Sequence, residues 1–162
     1  NFLQIFSPQT AYQMTSILEG VVKRGTAKKL KDLKLDVAGK TGTTNKNTDT
    51  WFVGFTSNLV VGVYVGADNP KPLGKYETGS KTALPVFKYF IKNAIKKKEA
   101  RPFKVADKIM MMVIDPITGK KARFASKKTI IESYKIKDFE KMNNFNFDID
   151  NRLKNNSIMK FY

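Results

Sequence analysis

One cluster in the 162 residues combines side chains whose types and spacing can carry chemistry: Lys40-Thr41-Gly42-Thr43, an ammonium and two hydroxyls around a glycine. The chain contains neither His nor Cys. That excludes an imidazole base, Ser-His-Asp and Cys-His catalysis, zinc sites of ordinary ligands and disulfides. Any catalysis runs on hydroxyls, lysines, carboxylates or backbone donors, and neither a metal site nor a cofactor is expected. A K-T-G string alone is common by chance, and a strand lysine without a matching context is simply solvated. The surroundings of the string decide its meaning.

The elements around it read as a mixed fold. Ala11, Met14, Leu18, Val21 and Val22 recur at helical spacing between Ser7-Pro8 and Gly25. Ser7 suits the cap, Pro8 the first turn, and Gly25 a left-handed ending. A Lys-rich connection follows, then Leu35 to Thr43, whose mixed polarity suits a strand at the margin of a sheet. Thr44 to Thr50 is a polar loop. Trp51 to Thr56 and Leu59 to Gly66 predict two strands of a tight hairpin across Ser57-Asn58. Both are nearly continuously apolar, which predicts a sheet covered on both faces, with Trp51, Phe52 and Phe55 in the core. Residues 67 to 81 read as loop. Thr82 to Lys98 predicts a second helix, with Leu84, Phe87, Phe90, Ile91, Ala94 and Ile95 on one stripe and three lysines at its negative end. Beyond Arg101-Pro102, Ile109 to Ile114 reads as a strand, Asp115 to Gly119 as a turn, and Ala122 to Ala125 as a short strand.

The charge is strongly positive, with 30 Lys and Arg against 14 Asp and Glu, a net of +16. A basic chain of this kind raises the question of nucleic acid. The excess is spread evenly, however: residues 1 to 100 carry 16 basic and 7 acidic groups, residues 101 to 162 carry 14 and 7. Only 4 of the basic residues are Arg, the side chain suited to bidentate reading of bases and phosphates. No specific nucleic-acid partner is expected. No run reaches the roughly 18 consecutive apolar residues of a membrane helix, and no targeting segment is evident.

The stretch Ala38 to Asp68, AGKTGTTNKNTDTWFVGFTSNLVVGVYVGAD, resembles the C-terminal third of the transpeptidase domain of class A penicillin-binding proteins, the bifunctional enzymes of peptidoglycan synthesis. Ser7-Pro8-Gln9-Thr10-Ala11-Tyr12 resembles the helix before the motif, Glu77 to Pro85 the entry to the last helix, and Ile114 to Gly119 the segment after it. About 130 residues are covered, and the Asn-rich tail has no quoted counterpart. The resemblance implies an α+β fold, an antiparallel sheet flanked by helices, as a partial penicillin-binding transpeptidase (serine β-lactamase-like) domain. It implies residues 1–100 as the C-terminal part of that domain, 101–135 as an extension with short strands, and 136–162 as a partly ordered Asn/Lys-rich tail.

Acyl transfer from a peptide ending in D-Ala-D-Ala needs a nucleophile, a base, an oxyanion hole and an anchor for the terminal carboxylate. By resemblance, Lys40 belongs beside the nucleophile's proton network. Gly42, lacking a Cβ, lets extended substrate approach the strand edge. Thr43 offers its N–H as an oxyanion donor and its hydroxyl to the carboxylate, with Thr41 a weaker anchor. The family's other motifs are S-x-x-K, which bears the nucleophile, and S-x-N. There is no S-x-N here, and the one S-x-x-K, Ser157-Ile158-Met159-Lys160, follows the K-T-G strand instead of preceding it. The nucleophile is therefore expected outside this chain, which alone is expected to be inactive.

The partners implied for the parent are D-Ala-D-Ala stem peptides and β-lactams, at the outer (periplasmic) face of the cytoplasmic membrane, with membrane attachment through a region not in this chain. Two alternatives stand beside this reading: a serine β-lactamase or DD-carboxypeptidase fragment, and a non-enzymatic basic binding module. In the resembled fold two further strands pair beside the strand Leu59 to Gly66. Without them that apolar edge is expected to recruit Ile109 to Ile114 or a second copy, giving a homo-oligomer.

Overall fold

Ser7 and Pro8 open the first helix as their chemistry predicts. The Ser7 hydroxyl accepts a hydrogen bond from the Thr10 N–H at 3.3 Å, and its carbonyl accepts one from the Ala11 N–H at 3.0 Å. Helix α1 then runs Pro8–Arg24 in the computed structural model, which describes residues 3–96, 99–122 and 128–139. Gly25 ends α1 without the expected left-handed turn: only Gly74 and Gly119 among the described glycines have positive φ. Instead the N–H groups of Gly25 and Ala27 both donate to the Val21 carbonyl, at 3.0 and 3.2 Å, which closes the helix end. The Lys-rich connection is more ordered than its composition suggests. It folds as a 3-10 helix, Lys28–Leu33, that buries Leu30 completely.

The chain forms two compact units, one of residues 14–105 and one joining the described residues up to Gln13 with those from Ala106 onward. In the first unit β1 (Ala38–Thr43), β2 (Thr50–Phe55) and β3 (Val60–Val65) form an antiparallel sheet in that order. Helix α2 (Ala83–Ala94) lies on one face. Phe52, fully buried, meets Phe87 edge-on with ring centroids 4.6 Å apart, and Leu84 and Ile91 complete that layer. Val61, Val63 and Val65 pack against it from β3.

The opposite face of the sheet carries Trp51, Val53, Val60 and Tyr64 at 44, 48, 72 and 51% exposure. Among the described residues the expectation of a sheet covered on both faces therefore fails over most of this face. Apolar runs record which residues suit burial, while burial itself needs an element to supply it, and among the described residues no helix or strand covers Trp51, Val53, Val60 and Tyr64. Trp51 accordingly leaves the core and packs on Tyr64, centroids 4.9 Å apart. Phe55 is half-buried against Phe103. Helix α2 is shorter than its stripe predicts, because Ile95 turns extended (φ −112°, ψ 116°) and buries its side chain in the core. Phe90, expected on the buried stripe, is 48% exposed, and Lys97 and Lys98 lie outside the described residues.

In the second unit β4 (Ile109–Ile114) pairs antiparallel with β5 (Ile130–Lys135), from Ile109 opposite Lys135 to Ile114 opposite Ile130. Ile109 to Ile114 thus belongs to a separate two-stranded sheet instead of the expected extension of β3, whose outer edge has no strand partner among the described residues. The Asp115 carboxylate accepts the N–H groups of Ile117 and Thr118 at 2.8 and 3.0 Å, and Gly119 takes φ +69°, forming the predicted turn. Ala122 donates to the Val113 carbonyl at 2.9 Å. The rest of the expected strand to Ala125, most of the tail, and the string Ser157 to Lys160 lie outside the described residues.

Candidate functional site

Strand β1 has β2 on one side and, among the described residues, no strand on the other. Across the pair Lys40 faces Val53, Thr41 faces Phe52, Gly42 faces Trp51 and Thr43 faces Thr50. The Thr44 N–H donates to the Asp49 carbonyl at 3.0 Å, and in an antiparallel ladder every second residue bonds across. Gly42 and Lys40 therefore turn their backbone groups toward β2, and Thr41 and Thr43 turn theirs to the open edge. The Lys40 ammonium fits this geometry, donating to the outward-facing Thr41 carbonyl at 2.9 Å.

Side chains alternate the other way. Lys40 and Gly42 lie on the open face, Thr41 and Thr43 on the face that α2 covers, so the polar groups wrap around the edge. Thr41 is heavily engaged: its hydroxyl lies 3.0 Å from the Thr26 hydroxyl and 3.4 Å from the Lys40 ammonium. The Thr43 oxygen accepts the Gly79 N–H at 3.1 Å. A Cβ on Gly42 would lie 3.2 Å from the Cβ of Trp51. A side chain at this position requires the neighbouring strand to give by a few tenths of an ångström, a packing reason for glycine beside the expected access for a ligand.

A carboxylate fixes the turn that ends β1. Asp49 accepts the Tyr64 hydroxyl at 2.7 Å and the Thr48 hydroxyl at 2.8 Å, and its own N–H donates to the Thr44 hydroxyl at 2.9 Å. The Tyr64 hydroxyl, and after it that of Thr48, hold the Asp49 carboxyl below the usual carboxylate range, while Asp49 pushes the Tyr64 phenol up. The sequence reading passed over Asp49, Thr26 and Gly79. Thr26 carries no local signal, since only the fold brings it to Thr41. A threonine-rich loop with one aspartate was a detectable sign of a hydrogen-bonded turn. Among the described residues no cluster of acidic side chains can hold a metal, and no helix is long and apolar enough to cross a membrane.

The penicillin binding protein transpeptidase domain family matches residues 3–92. Penicillin-binding protein 1A of Rickettsia conorii is 46% identical over 150 residues, 93% of this chain and 18% of that protein. The same-named protein of Pseudomonas aeruginosa is 40% identical over 136 residues, 83% of this chain and 16% of the relative. This chain thus spans about a fifth of the length of these relatives. The Rickettsia bellii relative aligns over 161 residues at 40% identity, so the tail has a counterpart after all. The crystal structure of penicillin-binding protein 1A from Haemophilus influenzae superposes with a TM-score of 0.71 at 31% identity, covering 81% of this chain and 21% of that one. The mixed architecture is that of a partial transpeptidase domain. On these matches and the strand that carries K-T-G at an open edge, the chain belongs to the penicillin-binding protein transpeptidase domain family, as a portion of a class A member.

Proposed function

We propose that this chain supplies the K-T-G wall of a cleft in which a parent DD-transpeptidase cross-links peptidoglycan stem peptides by serine acyl transfer. The single observation that carries the reading is the open edge of β1, along which the Lys40 ammonium and the outward backbone of Thr41 and Thr43 stand together. Lys40 places positive charge beside the nucleophile and favours an anionic substrate. The Thr43 N–H is one donor of the oxyanion hole. The hydroxyl of Thr43, and less so that of Thr41, anchors the carboxylate of a D-Ala-D-Ala terminus or of a β-lactam. Extended substrate lies along the edge as an added strand.

The nucleophilic serine and its lysine come from residues outside these 162, in a protein acting at the periplasmic face of the cytoplasmic membrane. Two measurements test this reading. The longer natural polypeptide that contains this sequence is labelled by a fluorescent penicillin, and the 162-residue chain alone gives no covalent adduct by intact mass. A stoichiometric adduct on the chain alone overturns the assignment of the nucleophile elsewhere.

A further inference from the structure

Behind the K-T-G strand, on the covered face, lies the segment Glu77 to Thr82. Its contacts are specific. The Gly79 N–H donates to the Thr43 hydroxyl oxygen at 3.1 Å. A Cβ on Gly79 would fall 2.7 Å from the Gly42 carbonyl oxygen, 2.5 Å from that of Trp51 and 3.3 Å from the Thr41 Cβ. The segment therefore seats directly on the backbone of β1 and β2, where only glycine fits. Three residues on, the Thr82 hydroxyl donates to the Thr78 carbonyl at 3.0 Å and lies 2.6 Å from the Thr50 hydroxyl. With its proton directed to Thr78, Thr82 accepts from Thr50, a fully buried residue directly opposite Thr43. The segment thus grips both members of the Thr43–Thr50 pair.

The chemical consequence falls on Thr43. A hydroxyl has one proton to donate and two lone pairs to accept with. The Gly79 N–H takes a lone pair, and no acceptor for the proton exists among the described residues. The Thr43 hydroxyl is left as a donor without a partner, on an exposed residue at the open edge. The Thr41 hydroxyl differs in standing within hydrogen-bond distance of two side chains, Thr26 and Lys40.

We propose that Glu77 to Thr82 is a clasp in which Gly79 is a positioning residue that fixes the Thr43 hydroxyl as the donor to a ligand carboxylate. This rests on the reading of β1 as the wall of an acyl-transfer cleft, and it adds a residue that touches neither ligand nor nucleophile.

The test uses the full-length natural protein and a pair of probes, benzylpenicillin and its methyl ester, which differ in the carboxylate. The readout is the ratio of their acylation rate constants. Gly79→Ala is expected to lower acylation by the acid about 10- to 100-fold, the scale of a lost hydrogen bond to a charged group, with a much smaller loss for the ester. Thr82→Val, which keeps the size and removes the hydroxyl, shifts the ratio in the same direction by less and serves if Gly79→Ala does not fold. In a Thr43→Val background neither substitution shifts the ratio further. Equal losses toward acid and ester, or an unchanged ratio in Thr82→Val where Gly79→Ala fails to fold, overturn the clasp while leaving the cleft reading intact. Failure of the unsubstituted protein to react with either probe overturns both.

Discussion

Removing the Phe52 ring strikes the layer that holds the K-T-G strand in place. Phe52 is fully buried, stands directly opposite Thr41 across the strand pair, and meets Phe87 of α2 at 4.6 Å. Truncation to Ala removes a buried aromatic side chain and leaves a cavity, a change that costs ~3–5 kcal/mol in well-packed cores. Its edge-on partner contributes part of that, ~0.5–1.5 kcal/mol. A unit of this size loses ~4–8 °C of Tm per kcal/mol, so Phe52→Ala is expected to lower Tm by at least ~12 °C. The adjacent Val53, on the same strand but half-exposed on the open face, provides the control. Val53→Ala is expected to cost less than ~1 kcal/mol. Thermal melts of the 162-residue chain followed by circular dichroism measure both. Comparable losses for the two substitutions would refute a sheet packed on one face only, and a shift under ~5 °C for Phe52→Ala would refute the Phe52–Phe87 layer as the core.

Three further outcomes follow from particular contacts. The Asp49 carboxyl is held below its ordinary range by the Tyr64 and Thr48 hydroxyls, so its contribution to stability is complete above the unfolded-state value and is lost as pH falls through the folded one. Melts taken through the acid range should show that loss, and Asp49→Asn should remove it; an unchanged acid profile contradicts the network. The outer edge of β3, free of Pro and of charged residues, is expected to pair with the same strand of a second copy. Light scattering across a dilution series should then report dimer or larger, and a monomer throughout with freely exchanging Val60 to Val65 amides contradicts it. Thr26→Val is expected to free the Thr41 hydroxyl from its 3.0 Å contact with little effect on Tm, whereas a large Tm loss would make Thr26 structural.

Much of the fold around the candidate site was legible in the sequence because its signals are local. Ser7-Pro8, the hairpin around Ser57-Asn58, the Asp115 turn and the K-T-G edge strand all depend on residues a few positions apart. What failed depends on distant partners. Trp51 and Phe90 have the chemistry of core residues and stand half-exposed for want of an element above them. β5, Ile130–Lys135, mixes Glu132 and Lys135 with Ile and Tyr, and its strand character comes from pairing with β4. Gly79 lay in a segment whose likeness to the family was noted, but its use, a missing Cβ against the carbonyls of Gly42 and Trp51, exists only in three dimensions. Leu30 is hidden among lysines in sequence and completely buried in the fold.

The most direct test of the account is the second-order rate constant for acylation by a fluorescent penicillin, measured on the full-length natural protein and on its Lys40→Ala variant. Lys40 is an exposed edge residue whose hydrogen bonds run to Thr41, so its loss should barely move Tm. If its ammonium serves the developing charge of the reaction, the rate constant falls by ~10²-fold or more. An unchanged rate constant accompanied by a lowered Tm would make Lys40 a structural residue and contradict the assignment of β1 as the wall of the catalytic cleft.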